Sequence, residues 1–187
     1  MDEIEFARWP SSRAGEVAAR YALATCVAPS TVAATQRVGV LRDRIRGGDR
    51  WVASAGAEGR PAVLDGEDLR PLAGAFAGRR LTARSARRTC AIGVDFSGAQ
   101  LQGAHFDGAD LRDADFSGAD LRGASFAGAK LWHARFDRAN LQALTLAKGS
   151  PRPVNLDGAS YHHDCFARSL VGWAACQATG AKASEFL

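Results

Sequence analysis

From Val94 to Ala143 a large apolar residue recurs every five positions, ten times without interruption. Phe and Leu alternate strictly: Phe96, Leu101, Phe106, Leu111, Phe116, Leu121, Phe126, Leu131, Phe136, Leu141. Two positions before each lies Ala, with Val94 the one exception. Polar or small side chains fill the other positions. Neither regular element has this period, since a helix repeats near 3.6 residues and a strand near 2. The chain must therefore turn a corner about once per block and point one large side chain inward from each. A fixed period of this kind predicts a stacked repeat architecture. Glycine two positions beyond the centre, as at Gly98, Gly103, Gly108, Gly118, Gly123 and Gly128, suits such a corner, because left-handed backbone there carries no Cβ penalty.

Blocks such as ADLRD, ADFSG, ADLRG and ANLQA resemble the pentapeptide-repeat family, whose pattern is A-(D/N)-L-x-x. The resemblance implies a mainly β fold, a right-handed quadrilateral β-helix in which four blocks close one square coil. The alternation independently supports a coil of 20 residues, because it places Phe on two opposite faces and Leu on the other two. One column then reads Phe76, Phe96, Phe116, Phe136, Leu156, and the repeat is expected over 74–161. AVLDG and EDLRP, within 62–71, suggest a further part-coil two residues out of phase. GSPRP at 149–153 breaks the pattern and is expected to bulge outward.

The flanks change period. Ser11 or Ser12 can cap a helix running to about Cys26, with Val17, Tyr21 and Leu23 as apolar points. A second helix restarts at Pro29 and Ser30, carries Val38, Leu41 and Ile45 on one stripe, and is expected to end at Gly47 and Gly48. Such helices could cover a terminal coil, whose backbone groups are otherwise unpaired. Arg37, Arg42, Arg44 and Arg46 on the second helix suggest a solvated face. After His162, the residues Phe166, Leu170 and Trp173 fall at helical spacing. This segment is expected either to cap the last coil or, as the family resemblance implies, to join two copies into a homodimer. The expected organisation is a helical segment 1–50, a lead-in or irregular first coil 51–73, the β-helix 74–161, and a C-terminal helical cap or dimerisation segment 162–187.

At 187 residues the chain suits one domain with small appendages. Its acidic, mixed start, MDEIEFARWP, does not resemble a signal peptide, and no apolar run approaches a membrane span. The four cysteines lie at no metal-ligand spacing, so a reduced, cytoplasmic setting is expected. The net charge of +4 is banded. Arg79, Arg80, Arg84, Arg87 and Arg88 form a basic stretch; Asp95, Asp107, Asp110, Asp113, Asp115 and Asp120 an acidic one; Arg122, Lys130, Arg135, Arg138, Lys148 and Arg152 a second basic one. Stacked coils would set Asp110 beside Lys130 and Asp115 beside Arg135. The banding either fixes coil register or builds a charged recognition surface.

No catalytic motif is present, and neither a cofactor nor a metal is expected. His162, His163, Asp164 and Cys165 are adjacent in sequence, and neighbours on a helix do not face one site. The expected function is a non-enzymatic, rigid protein-binding module. Its candidate interaction residues are Asp110, Arg112, Asp113, Lys130, Trp132 and His133, with Trp132 at an outward position that usually carries a small or polar residue. An Arg112–Trp132 pair that merely covers surface is the competing view. The family resemblance implies an alternative, a DNA mimic that binds a type II topoisomerase such as gyrase and confers resistance to its poisons. The interrupted acidic band does not suit a continuous phosphate track. Nucleic-acid binding through Arg79–Arg88 is a third reading, opposed by the neighbouring acids.

Overall fold

The computed structural model describes residues 31–82, 84–145, 149–166 and 168–169. Along the repeats, the residue before each apolar centre makes a parallel bridge to its counterpart one coil on. Asp95 pairs with Asp115, Gln100 with Asp120, His105 with Ser125 and Asp110 with Lys130, each offset by 20 residues. Four blocks intervene, so the coil has four sides. The centre's N–H donates to the next coil, as from Phe116 to the Arg135 carbonyl at 2.7 Å. The preceding N–H donates to the previous coil, as from Asp115 to the Val94 carbonyl at 3.0 Å. Each corner closes on itself, as from the Ala119 N–H to the Phe116 carbonyl at 3.0 Å. Backbone polar groups are thereby paired without any long strand.

The faces are named here by Phe116, Leu121, Phe126 and Leu131, all fully buried. Phe116 stacks on Phe96 at 5.0 Å and on Phe136 at 5.1 Å, with rings nearly parallel. Across the core it meets Phe106 and Phe126 edge-on, both at 5.7 Å. Parallel contacts run along each Phe column and edge contacts run between the two columns. Both geometries are favoured by the ring quadrupole.

Below the tenth block the expected column fails. Asn155 bridges Ser125 and Ser160 bridges Lys130, each offset by 30 residues rather than 20. Leu156 therefore lies under Phe126, not under Phe136. Phe136 instead receives Phe166, at a ring separation of 4.5 Å. Ten extra residues leave the coil after Ala143, with an antiparallel bridge between Leu144 and Arg152 at the base of the excursion. The expected outward bulge is thus longer than 149–153. Ten residues are two blocks, and alternation cannot distinguish a face from its opposite, so the shift is invisible in the sequence pattern. Leu144 leaves the coil and lies over Gly123, where an added Cβ would be 2.6 Å from the Leu144 Cβ. Gly123 is buried there, unlike the exposed corner glycines Gly98, Gly118 and Gly128.

At the other end, Val63 bridges Ser85 and Asp68 bridges Cys90, both offset by 22 residues, in keeping with a first coil two residues out of phase. A 3-10 turn at Arg70–Leu72 lies in this longer coil and buries Leu72. Helix α1, Thr31–Ala53, packs Leu41 and Ile45 into the same hydrophobic core, with Val38 at its margin. It does not end at Gly47 and Gly48. These glycines serve close approach: a Cβ on Gly48 would be 2.7 Å from the Arg84 guanidinium and 3.0 Å from the Ala62 Cβ. The helix ends instead in a Schellman motif. Gly56 N–H donates to the Trp51 carbonyl and Ala55 N–H to that of Val52, with Ala55 left-handed at φ 53°. Two α1 arginines are not simply solvated, because Arg37 and Arg44 clasp Glu67 of the first coil at 2.8 and 3.0 Å.

Asp49 joins α1 to the β-helix through Arg79 and Arg84, both at 2.9 Å. Arg84 is buried, and desolvation holds its guanidinium below the usual arginine range despite the Asp49 charge. At the C-terminal end, His163–Phe166 forms one 3-10 turn. Phe166 is buried on Phe136 and Tyr161. Leu170 and Trp173 lie outside the described residues, as does the expected helix between Ser11 and Cys26.

Candidate interaction face

The Leu131 face gathers all six candidate residues. The bridges Asp68–Cys90, Cys90–Asp110, Asp110–Lys130 and Lys130–Ser160 run down it as one ladder. Two positions further along each block lie Arg70, Ile92, Arg112, Trp132 and His162. The corner column beyond them contains Gly93, Asp113 and His133. Asp110 and Arg112 form a bidentate pair, with Nε to Oδ1 at 2.7 Å and Nη2 to Oδ2 at 2.8 Å. Arg70 grips Asp68 in the same way, at 2.9 and 2.7 Å. The block A-D-L-R thus neutralises itself, because the residues flanking an inward Leu both point outward on one side of the strand.

This corrects part of the expected charge stacking. Arg135 does reach across coils to Asp115, at 3.4 Å. Asp110, although bridged to Lys130 through the backbone, spends its carboxylate on Arg112. Lys130 is left exposed, with no carboxylate in ion-pair range among the described residues. Trp132 is half-buried and His133 exposed. Among the described residues, the Trp132 indole makes no hydrogen bond and no ring contact.

Backbone geometry marks the same face. Most corners take left-handed φ with glycine, between 63° and 67° from Gly98 to Gly128. Among the described residues, four repeat corners take it without glycine: Arg88, Asp113, His133 and Arg138. Arg88, Asp113 and His133 border the Leu131 face, at φ 52°, 58° and 60°. Left-handed backbone costs a non-glycine residue about 1 kcal/mol, somewhat less for Asp and His, which tolerate it better than most. Periodicity alone could have flagged these positions as departures from glycine, but it could not have shown that the corner keeps its left-handed shape when glycine is lost.

The opposite Leu121 face is different in kind. Thr82 donates to Gln102, Gln102 to Asp120, and Arg122 grips Asp120, all at 2.7 to 2.9 Å for the shortest contacts. Burial alone would raise the Asp120 pKa, but the Arg122 and Gln102 hydrogen bonds outweigh it and hold the carboxyl below its ordinary value. That face is a closed hydrogen-bond ladder.

The family model for pentapeptide repeats matches residues 92–126 and 119–148. Residues 92–148 of this chain carry pentapeptide repeats. Among solved structures, alr5209, a pentapeptide repeat protein from Nostoc Pcc 7120, is 23% identical, with 68% of this chain and 82% of that chain covered and a TM-score of 0.29. HetL, a pentapeptide repeat protein involved in heterocyst differentiation regulation in Nostoc sp. strain PCC 7120, is 30% identical over 54% of this chain and 37% of its own, with a TM-score of 0.25. QnrB1, a plasmid-mediated fluoroquinolone resistance protein, is 21% identical over 54% of this chain and 49% of its own, with a TM-score of 0.27. No curated protein sequence matches the chain. The chain thus spans about half or less of HetL and QnrB1.

Within this pentapeptide-repeat frame the remaining candidates separate. Of the basic stretch Arg79–Arg88, Arg84 is buried, Arg79 is bound to Asp49, and Arg87 lies 3.2 Å from Asp107. Only Arg80 and Arg88 of the five are exposed without such a partner among the described residues, which is few for a phosphate track. His162 and Asp164 lie 3.5 Å apart. Among the described residues no group of three His, Cys, Asp or Glu side chains is placed to hold a metal, and no helix is long and apolar enough to cross a membrane.

Proposed function

We propose that the chain is a rigid, non-catalytic binding module whose Leu131 face docks a protein partner. The retention of Asp113 and His133 in left-handed corners that glycine would fill without strain carries this reading. Strained residues concentrate where function needs a side chain. Beside them stands Trp132, whose large surface, and an N–H that meets no acceptor among the described residues, suit an interface anchor. Lys130 adds a cation that meets no carboxylate among the described residues. The face therefore suits a partner surface offering a carboxylate or carbonyl beside an apolar pocket.

The test is affinity capture by the full-length chain, followed by titration of the captured partner. Trp132→Ala should weaken binding by about 2 kcal/mol, near thirtyfold, with little change in melting. Arg112 is left in place because it neutralises Asp110. Asp113→Gly with His133→Gly should raise the melting temperature while weakening the same binding. If all these changes leave binding intact, the interface lies elsewhere. A type II topoisomerase as partner, bound through mimicry of DNA, gains no support from Asp110 and Asp120, which Arg112 and Arg122 neutralise within their own blocks. A gyrase supercoiling assay should accordingly show no inhibition.

A further inference from the structure

Where α1 lies beside the start of the first coil, an open groove of about 770 Å³ runs between the helix and residues 59–63. Val40 lines it from the helix and Val63 from the coil. These are the large apolar side chains left exposed among the described residues, at 51% and 52%. Its charged walls are Arg44, Arg50 and Arg60 against a single acid, Asp43. Asp43 already faces Arg46 at 3.6 Å, and Arg44 reaches Glu67. Arg50 and Arg60 are exposed and meet no carboxylate in ion-pair range among the described residues. The groove therefore sets the two exposed valines among cationic side chains.

Its coil side is also an open backbone edge. In the Val63–Ser85 bridge the Leu64 N–H donates to the Ser85 carbonyl, so the bonds on that side come from the residues flanking Val63. The N–H and C=O of Val63 itself point the other way, towards the position a preceding coil would occupy. Among the described residues no hydrogen bond uses either. Helix α1 fills the middle of this end with Leu41 and Ile45 but supplies no strand to Val63. An unpaired edge beside this groove is a template for an added strand.

We propose that this groove binds an extended peptide segment of a protein partner, one that alternates acidic and apolar residues and adds as a short strand along Val63. In an extended segment alternate side chains point to opposite sides. One set would contact Val40 and Val63, and the other would meet Arg50 and Arg60. The site is separate from the Leu131 face and does not depend on it.

The probe is a fluorescently labelled peptide of alternating Glu and Val, titrated against the full-length chain by anisotropy. Saturable binding is expected. Arg50→Glu with Arg60→Glu should weaken it about tenfold or more, with an unchanged thermal melt because both side chains are exposed. The same peptide N-methylated at alternate backbone positions should not bind, and a Lys–Val peptide should not bind. Absence of saturable binding, or binding indifferent to charge reversal and to N-methylation, overturns the proposal. Asp2→Lys with Glu3→Lys and Glu5→Lys should leave the peptide affinity unchanged. A rise of about tenfold would assign the groove to the chain's own acidic segment and overturn the partner assignment.

Discussion

Excising residues 144–153 tests the register directly. The excision joins Ala143, a corner position, to Val154, which is buried at the inward position two before Leu156. Asn155 N–H would still donate to the Ala124 carbonyl, at 3.0 Å in the intact chain. What is lost is small. The Leu144–Arg152 backbone pair, at 2.8 and 2.9 Å, contributes about 1 to 2 kcal/mol net. The partly exposed Leu144 side chain over Gly123 contributes about 1 kcal/mol. Against this, closing a ten-residue excursion costs about 2 kcal/mol by the logarithmic loop law. The two sides nearly cancel, so the stability change should lie within about 1 kcal/mol. Urea unfolding followed by circular dichroism reads it. Had Leu156 lain under Phe136, these ten residues would form half a coil with its own core, and their removal would cost several kcal/mol. A cooperative transition displaced downward by more than about 3 kcal/mol would refute the 30-residue offset.

The same register predicts a coupling. Leu156→Ala and Phe126→Ala should be non-additive by about 0.5 kcal/mol or more, and additivity would place the two side chains out of contact. Asp120 has a folded-state pKa below its unfolded value, so its contribution is present above the ordinary carboxylate pKa and is lost as pH falls through the depressed one. Asp120→Asn should therefore flatten the acid limb of a stability profile, and an unchanged limb would count against the Arg122–Gln102 ladder. Cys165 is held by burial above the usual thiol pKa and donates towards the Leu131 carbonyl at 3.7 Å. In the folded protein it should alkylate far more slowly than after denaturation, as read by peptide mass mapping.

Much of this protein was legible from its sequence. A five-residue period forces a corner per block, and strict Phe/Leu alternation with Ala two positions earlier determines which side chains enter the core. Each of those is a local rule repeated, so it survives without knowledge of the whole fold. The α1 stripe of Val38, Leu41 and Ile45 was legible for the same reason. Tertiary structure decided what depends on partners distant in sequence. It carried α1 past Gly47 and Gly48, because Arg84 and Ala62 need that close approach. It set Leu156 under Phe126, because a ten-residue excursion preserves the alternation while changing the face. It also divided the acidic coil into ion pairs within blocks and between coils, which a list of charges cannot do. The Leu131 face was nominated by Trp132 in the sequence. The left-handed corners at Asp113 and His133 emerged only from the folded coil, where neighbouring turns hold the backbone in a shape these residues do not prefer.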